Sequence, residues 1–518
     1  MKTLGRFTIV LLILALTVSV IGAAQTTLRI GRAADVRGLN AMKIANNDSS
    51  QVTYQIHEGL VTMSPEQNML PILATSWELL DDDLTWRIYL REGVTFHSGA
   101  SFTAADVKWN FDKTHDPDDP GVAHGLLPEG VATVVDDYTI DITLNEPNGV
   151  FMNICAAPLF MMVEPARYEA LGEDYGTDPS GTGPFKYNTW IPGERVILDK
   201  YDGYWGAGAE VDQVIFEVIP DPNARVIALE NGEIDMAFAV AAEEMDRLEA
   251  KADLQVYRTP SMRVIWVALN TVHPMLTPNV RKAIAHATDK DVIMPVVGGN
   301  GVKATGIGMP TAFGFKPCDW EINPDLSRAL LEADGWMLGS DGFRYKDGEK
   351  LTIESMARGT YVGEIEALEV MQILLLEVGI DFVIVKTPSA AYRAALDDGA
   401  RAHDEEGIIP SYMTWTAASG IRTGEIGYIT ERAKTDQGFR NYTRYNNPEF
   451  DLAFNRSQAP GTDEERLVGY HTMADLFHFD VLRIPIFVIQ ANVAASANVA
   501  GFVWNGNDSL NLRGVSND

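Results

Sequence analysis

The sequence predicts an α/β protein in two lobes with a cleft between them, because two separate runs of alternating strand and helix patterns occur along one chain. In the first run Val214, Phe216 and Val218 alternate as a strand does. Asp221-Pro222 then opens a helix that carries Val226, Ile227 and Leu229, and Asn231-Gly232 closes it. A strand over 234–238 and a helix over 241–250 follow, and 264–269 is an apolar strand running into Asn270. In the second run the pattern predicts a helix over 324–333, a strand over 351–356 and an amphipathic helix over 364–377 stopped by Gly379. A strand over 380–385, a helix over 389–397, a long helix over 462–479 and a buried strand over 484–489 complete it. No internal repeat, low-complexity tract or long polar linker interrupts the chain.

Upstream, Leu84, Trp86, Ile88 and Leu90 alternate with Thr85, Arg87 and Tyr89, and Asp81-Asp82-Asp83 is turn material. A hairpin of 76–80 and 84–90 is expected. Thr103, with Asp106 three residues on, marks a helix N-terminus. The first residues form a targeting segment: Lys2 and Arg6, an apolar run over 7–21, then Gly22-Ala23-Ala24. Cleavage after Ala24 is expected, and no Cys follows to carry a lipid, so a soluble periplasmic protein without a membrane anchor is predicted. The length of 518 residues suits roughly three domains. A net charge of −31 repels nucleic acid and anionic lipid, which excludes those partners. Cys155 and Cys318 are expected as two buried free thiols.

The stretch from Ala74 to Lys113, with its W…DDDLT…LREGVTFHSG…TAADV phrases, resembles the extracellular solute-binding proteins of peptide/nickel-type ABC transporters, the family 5 class. Further phrases extend the resemblance: SGTGPFKYNTWIPGERVILDKYDGYWG at 180–206, NARVIALENGEIDMAF at 223–238, PNVRKAIAHATDKDVI at 278–293, ALLEADGW at 329–336 and YNNPEFD at 445–451. The resemblance implies a two-lobed periplasmic binding protein fold with a hinge and an inserted domain, three domains of the cluster C type. It implies a signal peptide over 1–24 and a discontinuous first lobe over 25–50, 186–269 and 490–518. The inserted domain would span 51–185 and the second lobe 270–489, with hinge crossings near Asn270 and Gln490. Such a monomer would bind a small-molecule or peptide ligand by closing its cleft and deliver it to permease subunits of an ABC transporter.

No catalytic constellation is present in the sequence. His57-Glu58 lacks the second His of a HExxH zinc helix, and there is no G-x-S-x-G elbow, P-loop, G-x-G-x-x-G or C-x-x-C. His471 and His478 share helical spacing but no convincing ligand set, so neither a metal nor a cofactor is expected. The family resemblance places Arg358 where dipeptide-type members hold a peptide carboxylate, a task suited to the guanidinium fork. In Tyr412-Met413-Thr414-Trp415-Thr416-Ala417-Ala418, Ala418 stands where those members clamp an α-ammonium with Asp, and the phrase is similar to the glutathione-type branch. Trp415, beside Tyr412, is either a cleft wall or a core residue. Asn270 either offers its amide to ligand or caps the crossing. Thr182 and Gly183 form a further candidate edge, since glycine permits close backbone approach. Two other functions stay open: a nickel or metal-chelate receptor of the same family, and an exported two-domain hydrolase.

Overall fold

The computed structural model describes residues 26–392, 411–417, 443 and 445–517, less positions 45, 67, 125, 158, 307–309, 360, 361, 389 and 505–508; for 411–417 it describes the backbone. Strand β1 (Thr27–Arg32) opens the main sheet. Helix α1 (Asn47–Ile56) follows, capped by Asn46, whose side chain accepts from the Ser49 amide.

A separate antiparallel sheet comes next, from β2 (Ala74–Leu79), β3 (Thr85–Leu90), β4 (Gly130–Asp136) and β5 (Thr139–Leu144), in the order β2-β3-β5-β4. The acidic turn works through one side chain: Asp82 accepts from the amides of Leu84 and Thr85 at 3.0 and 2.8 Å. Helix α2 (Ala104–Thr114) starts in a capping box between Thr103 and Asp106, as the spacing predicted. Trp86, Ile88, Phe111 and Ile142 lie in the core between this helix and sheet. Cys155 is buried in the same core, and both it and Cys318 are free thiols.

The chain returns to the main sheet through β6 (Phe185–Ile191), β7 (Arg195–Lys200) and β8 (Gln213–Val218). Then come α3 (Pro222–Glu230), β9 (Met236–Phe238), α4 (Ala242–Glu249) and the long strand β10 (Leu254–Ala268). Beyond it lie α5 (Pro278–Ala287), β11 (Gly301–Lys303), α6 (Pro324–Ala333), β12 (Thr352–Ala357), α7 (Glu364–Glu377) and β13 (Asp381–Lys386). Strand β14 (Ser411–Ala417), helices α8 (Pro448–Gln458) and α9 (Asp463–Asp480), and a second long strand, β15 (Arg483–Ser496), complete the set. Most of the helix expected over 389–397 lies outside the described residues.

The main sheet has 11 strands in the order β13-β12-β14-β10-β15-β9-β1-β8-β7-β6, with β11 also paired to β15. Its two long strands tie the molecule together. Residues 254–260 of β10 pair with 490–496 of β15, and 264–268 pair with 483–488. Strand β9 joins β15 only over 493–495, whereas β14 joins β10 only over 263–268. The sheet therefore has two sides, which meet at the irregularity between Pro260 and Val264, where Pro260 faces Gln490.

Strand directions follow from the pairing. Strands β1, β8 and β9 are mutually parallel, β9 is antiparallel to β15, and β15 is antiparallel to β10. They run as β10 runs, from the first side toward the second. Strands β12, β13 and β14 are parallel to one another and antiparallel to β10, so they run back. The carboxyl ends of both parallel sets point at the line where the sides meet. Each side has its own core, with Leu28, Ile30, Phe216 and Met236 on the first and Val267, Ile284, Leu331 and Leu375 on the second.

Candidate functional site

In open α/β sheets ligands bind outside the carboxyl ends of parallel strands, because the loops there are free to vary while the strands stay fixed. Two such edges face one line here, so the chain segments that leave β1 and β12 at that line are the natural walls of a site. On the first side Arg32 ends β1, buried, with Nη2 donating to the Asp48 carbonyl and lying 3.6 Å from its carboxylate. That contact fastens the end of the strand to the first turn of α1.

On the second side Arg358 directly follows β12. Its amide donates to Glu364 Oε1 at 3.0 Å, and its guanidinium lies 4.9 Å from the centre of the Tyr392 ring. Glu364 is buried in the first turn of α7, where the helix dipole favours a carboxylate. Gly359 and Gly363, with φ of 60° and 85°, let the chain reverse between strand and helix. A half-buried guanidinium lying against an aromatic face is held in a geometry suited to a planar carboxylate.

Strand β14 puts Tyr412 beside both Met356 and Ala268, Trp415 opposite Ile265, and Ala417 opposite Arg263 at the meeting line. Trp415 is thus nearer the line than Tyr412 in backbone position; Ala418 lies outside the described residues. Asn270 is elsewhere. It lies past Ala268, at the end of β10 away from the line, buried, with Oδ1 accepting from the Val272 amide at 3.1 Å. This corrects the expected hinge crossing at Asn270: β10 begins at Leu254, well before the apolar stretch that marked it in the sequence, so the residue opposite Gln490 is Pro260.

Thr182 and Gly183 are also displaced from the expected role. Thr182 is fully buried, and its hydroxyl donates to Glu58 Oε2 at 2.9 Å. A Cβ on Gly183 would lie 2.4 Å from the Gln55 carbonyl oxygen. Close approach is indeed what this glycine permits, but the neighbour is the protein's own backbone. Glu58 is the centre of the knot, with Trp205 Nε1 at 2.8 Å, Tyr204 Oη at 3.0 Å and Arg513 Nη2 at 2.8 Å. Burial, with the Glu58 charge adding to it, pushes the Tyr204 phenol well above the usual tyrosine range. Next to the knot a shallow concavity, open to solvent, is lined by Tyr54, Thr62, Ala157, Asn511 and Arg513 among others. Sequence reasoning missed this group because Glu58 and Arg513 stand at opposite ends of the chain, and no local spacing links them. His57, next to Glu58, has its ring nitrogens 3.2 Å from the Thr53 carbonyl and 3.0 Å from Tyr175 Oη. Burial lowers its pKa from 6.5 to about 3.

Among the described residues no group of three His, Cys, Asp or Glu side chains could hold a metal ion. The His478 ring stacks on Trp320 with centroids 4.8 Å apart, which gives it a packing role. No helix among the described residues is long and apolar enough to cross a membrane.

Two sheet sides joined by shared strands, with both sets of carboxyl ends turned to one line, are the architecture of the solute-binding components of ABC importers. The chain belongs to the bacterial extracellular solute-binding proteins, family 5, whose model matches residues 68–418. Proteins of this class are not enzymes. The glutathione-binding protein GsiB of Escherichia coli strain K12 is 29% identical over 466 residues, which cover 88% of each chain. The crystal structure of NikA from Brucella suis in complex with Fe(III)-EDTA superposes with a TM-score of 0.83 at 25% identity, covering 95% of this chain and 100% of that one. The oligopeptide-binding protein AppA from Bacillus subtilis, in complex with a nonapeptide, gives a TM-score of 0.77 at 19% identity, covering 95% of this chain and 99% of that one.

Proposed function

We propose that this family 5 protein is a monomeric periplasmic receptor that closes over a small peptide-like or carboxylate-bearing solute and delivers it to its permease. The observation that carries the reading is the pair of facing carboxyl edges, joined through β10 and β15 at Pro260 and Gln490. The signal peptide over 1–24, the inserted domain over 51–185, and two lobes that exchange the chain at Pro260 and Gln490 belong to the same proposal, so that the first lobe takes 25–50, 186–260 and 490–518 and the second 261–489. Arg358 is assigned the solute carboxylate, and Trp415, Tyr412 and Ala418 one wall of the cleft. The likeness to glutathione-binding proteins over most of the chain supports a peptide-like solute.

A metal-chelate solute is the second reading, favoured by the likeness to NikA in complex with Fe(III)-EDTA. Native mass spectrometry of the protein purified from a periplasmic extract separates the two. A retained organic mass with a free carboxylate supports the first, stoichiometric nickel or iron supports the second, and hydrolysis of a peptide panel that tracks the protein would overturn both.

A further inference from the structure

The unit over 51–185 is anchored to the first side of the sheet in several places. Thr182 donates to Glu58 beside Tyr204, Trp205 and Arg513, Thr95 Oγ1 lies 2.7 Å from Tyr201 Oη, and Arg91 lies 4.1 Å from the centre of the Trp205 ring. Its contact with the second side is of another kind. The turn at Asn148-Gly149 meets the end of α8, where the Gly149 amide donates to the Gln458 carbonyl at 2.6 Å. That carbonyl belongs to the last turn of the helix, which has no amide of its own to offer it.

The turn is built to make this contact. Asn148 Oδ1 accepts from the Val150 amide at 3.0 Å, and Asn148 O accepts from Trp86 Nε1 at 3.0 Å, so the backbone is fixed on its own unit before it meets α8. Gly149 then approaches so closely that a Cβ there would lie 2.4 Å from Ala459 O and 2.9 Å from Pro460 Cα. These are backbone and ring atoms that cannot rotate away. The residues on both faces are only partly buried, as suits a contact that can part.

From this we infer that the Asn148-Gly149 turn and the end of α8 form a clasp that holds the two sides in the closed arrangement. The inference rests on the proposed closure of the cleft and adds a role for the inserted unit in it. Rotation about β10 and β15 carries α8 with the second side while the 51–185 unit stays with the first, so opening breaks the Gly149–Gln458 bond. The clasp contributes to solute affinity without touching solute, because a contact present only in the closed state favours that state.

The test is Gly149→Val, whose side chain obstructs α8 and leaves the rest of its own unit unchanged. Solute-free protein divides between clasped and open forms and solute draws it to the clasped one, so without any solute X-ray scattering should give a larger radius of gyration for Gly149→Val than for wild type. Hydrogen exchange should show faster exchange over 146–150 and 456–460 in the variant. With glutathione as probe, the apparent Kd should rise about three- to tenfold, through faster release, since one amide hydrogen bond is at stake. An equal radius together with equal exchange in both segments would overturn the clasp. Gly149→Ala gives a second reading if valine lowers the unfolding midpoint, because its single methyl group already meets Ala459. Failure of both proteins to bind glutathione would count against that solute and not against the clasp, which the solute-free measurements decide.

Discussion

Arg358 is the residue on which the solute assignment turns. If it pairs with a carboxylate in a closed cleft, Arg358→Ala should weaken binding of the cognate solute by about 2–5 kcal/mol, because the solute's charge is left buried and unpaired. Titration calorimetry with the solute found in the purified protein checks this, and an unchanged Kd would remove Arg358 from the site. His57 supplies a residue-scale prediction about stability. Its pKa falls from 6.5 to about 3 on folding, chiefly by burial, with the neighbouring His97 adding to the shift. Below pH 6.5 the unfolded chain takes up a proton that the folded one refuses, so the stability is complete above that pH and is lost as pH falls toward 3. Between pH 7 and pH 5 the loss from this group is about 2 kcal/mol. Urea unfolding at both pH values should show the gap between wild type and His57→Gln narrowing by that amount as the pH falls.

Elements whose ends are marked by local chemistry were legible in the sequence. The helices expected over 324–333 and 364–377 fall at Pro324–Ala333 and Glu364–Glu377, the first capped by Asn323 and the second followed by Gly379 at φ 87°. The long strands were only half legible. The first part of β10 carries Arg258, Pro260 and Ser261, and the last part of β15 is the small, polar run Gln490–Ser496; neither shows the apolar pattern that marks a buried strand. Those are the parts that reach across to the other side. The SGTGPF turn was legible as tight but not as to what it approaches, since Gln55 and Ile56 lie far back in the chain. Gly183→Ala should therefore lower stability by about 3 kcal/mol through overpacking against fixed backbone, with little change in the affinity of the remaining folded protein. A variant of full stability that binds poorly would return this turn to the site.

At the scale of the molecule, motion about two strands is the expected basis of function. Scattering with the cognate solute present should give a smaller radius of gyration than without it. The folded state should gain about 2.7 kcal/mol at a solute concentration one hundred times Kd. An unchanged radius at saturation would show that the cleft does not close. The two-lobe plan was legible because each α/β run in the sequence became one side of the sheet, apart from the strand expected over 264–269, which crosses from the first run to the second side. The site was less so, because its walls come from segments that meet only once the sheet is formed. Arg358 was pointed to by the family resemblance alone, whereas the Glu58 knot has partners from residue 182 to residue 513.

Because Pro260 and Gln490 are partners on adjacent antiparallel strands, the polypeptide leaves the first side and re-enters it at neighbouring points. Everything between them is a detour that begins and ends in one place. A two-residue Asn-Gly turn joining 260 to 490 spans such a gap, since paired strands lie about 5 Å apart and close readily in tight hairpins. Excising 261–489 in this way should leave a miniature of the first side and its inserted unit, with Leu28, Phe216, Val493 and their neighbours still assembled. In that sense the receptor is one self-sufficient body carrying a second as a graft.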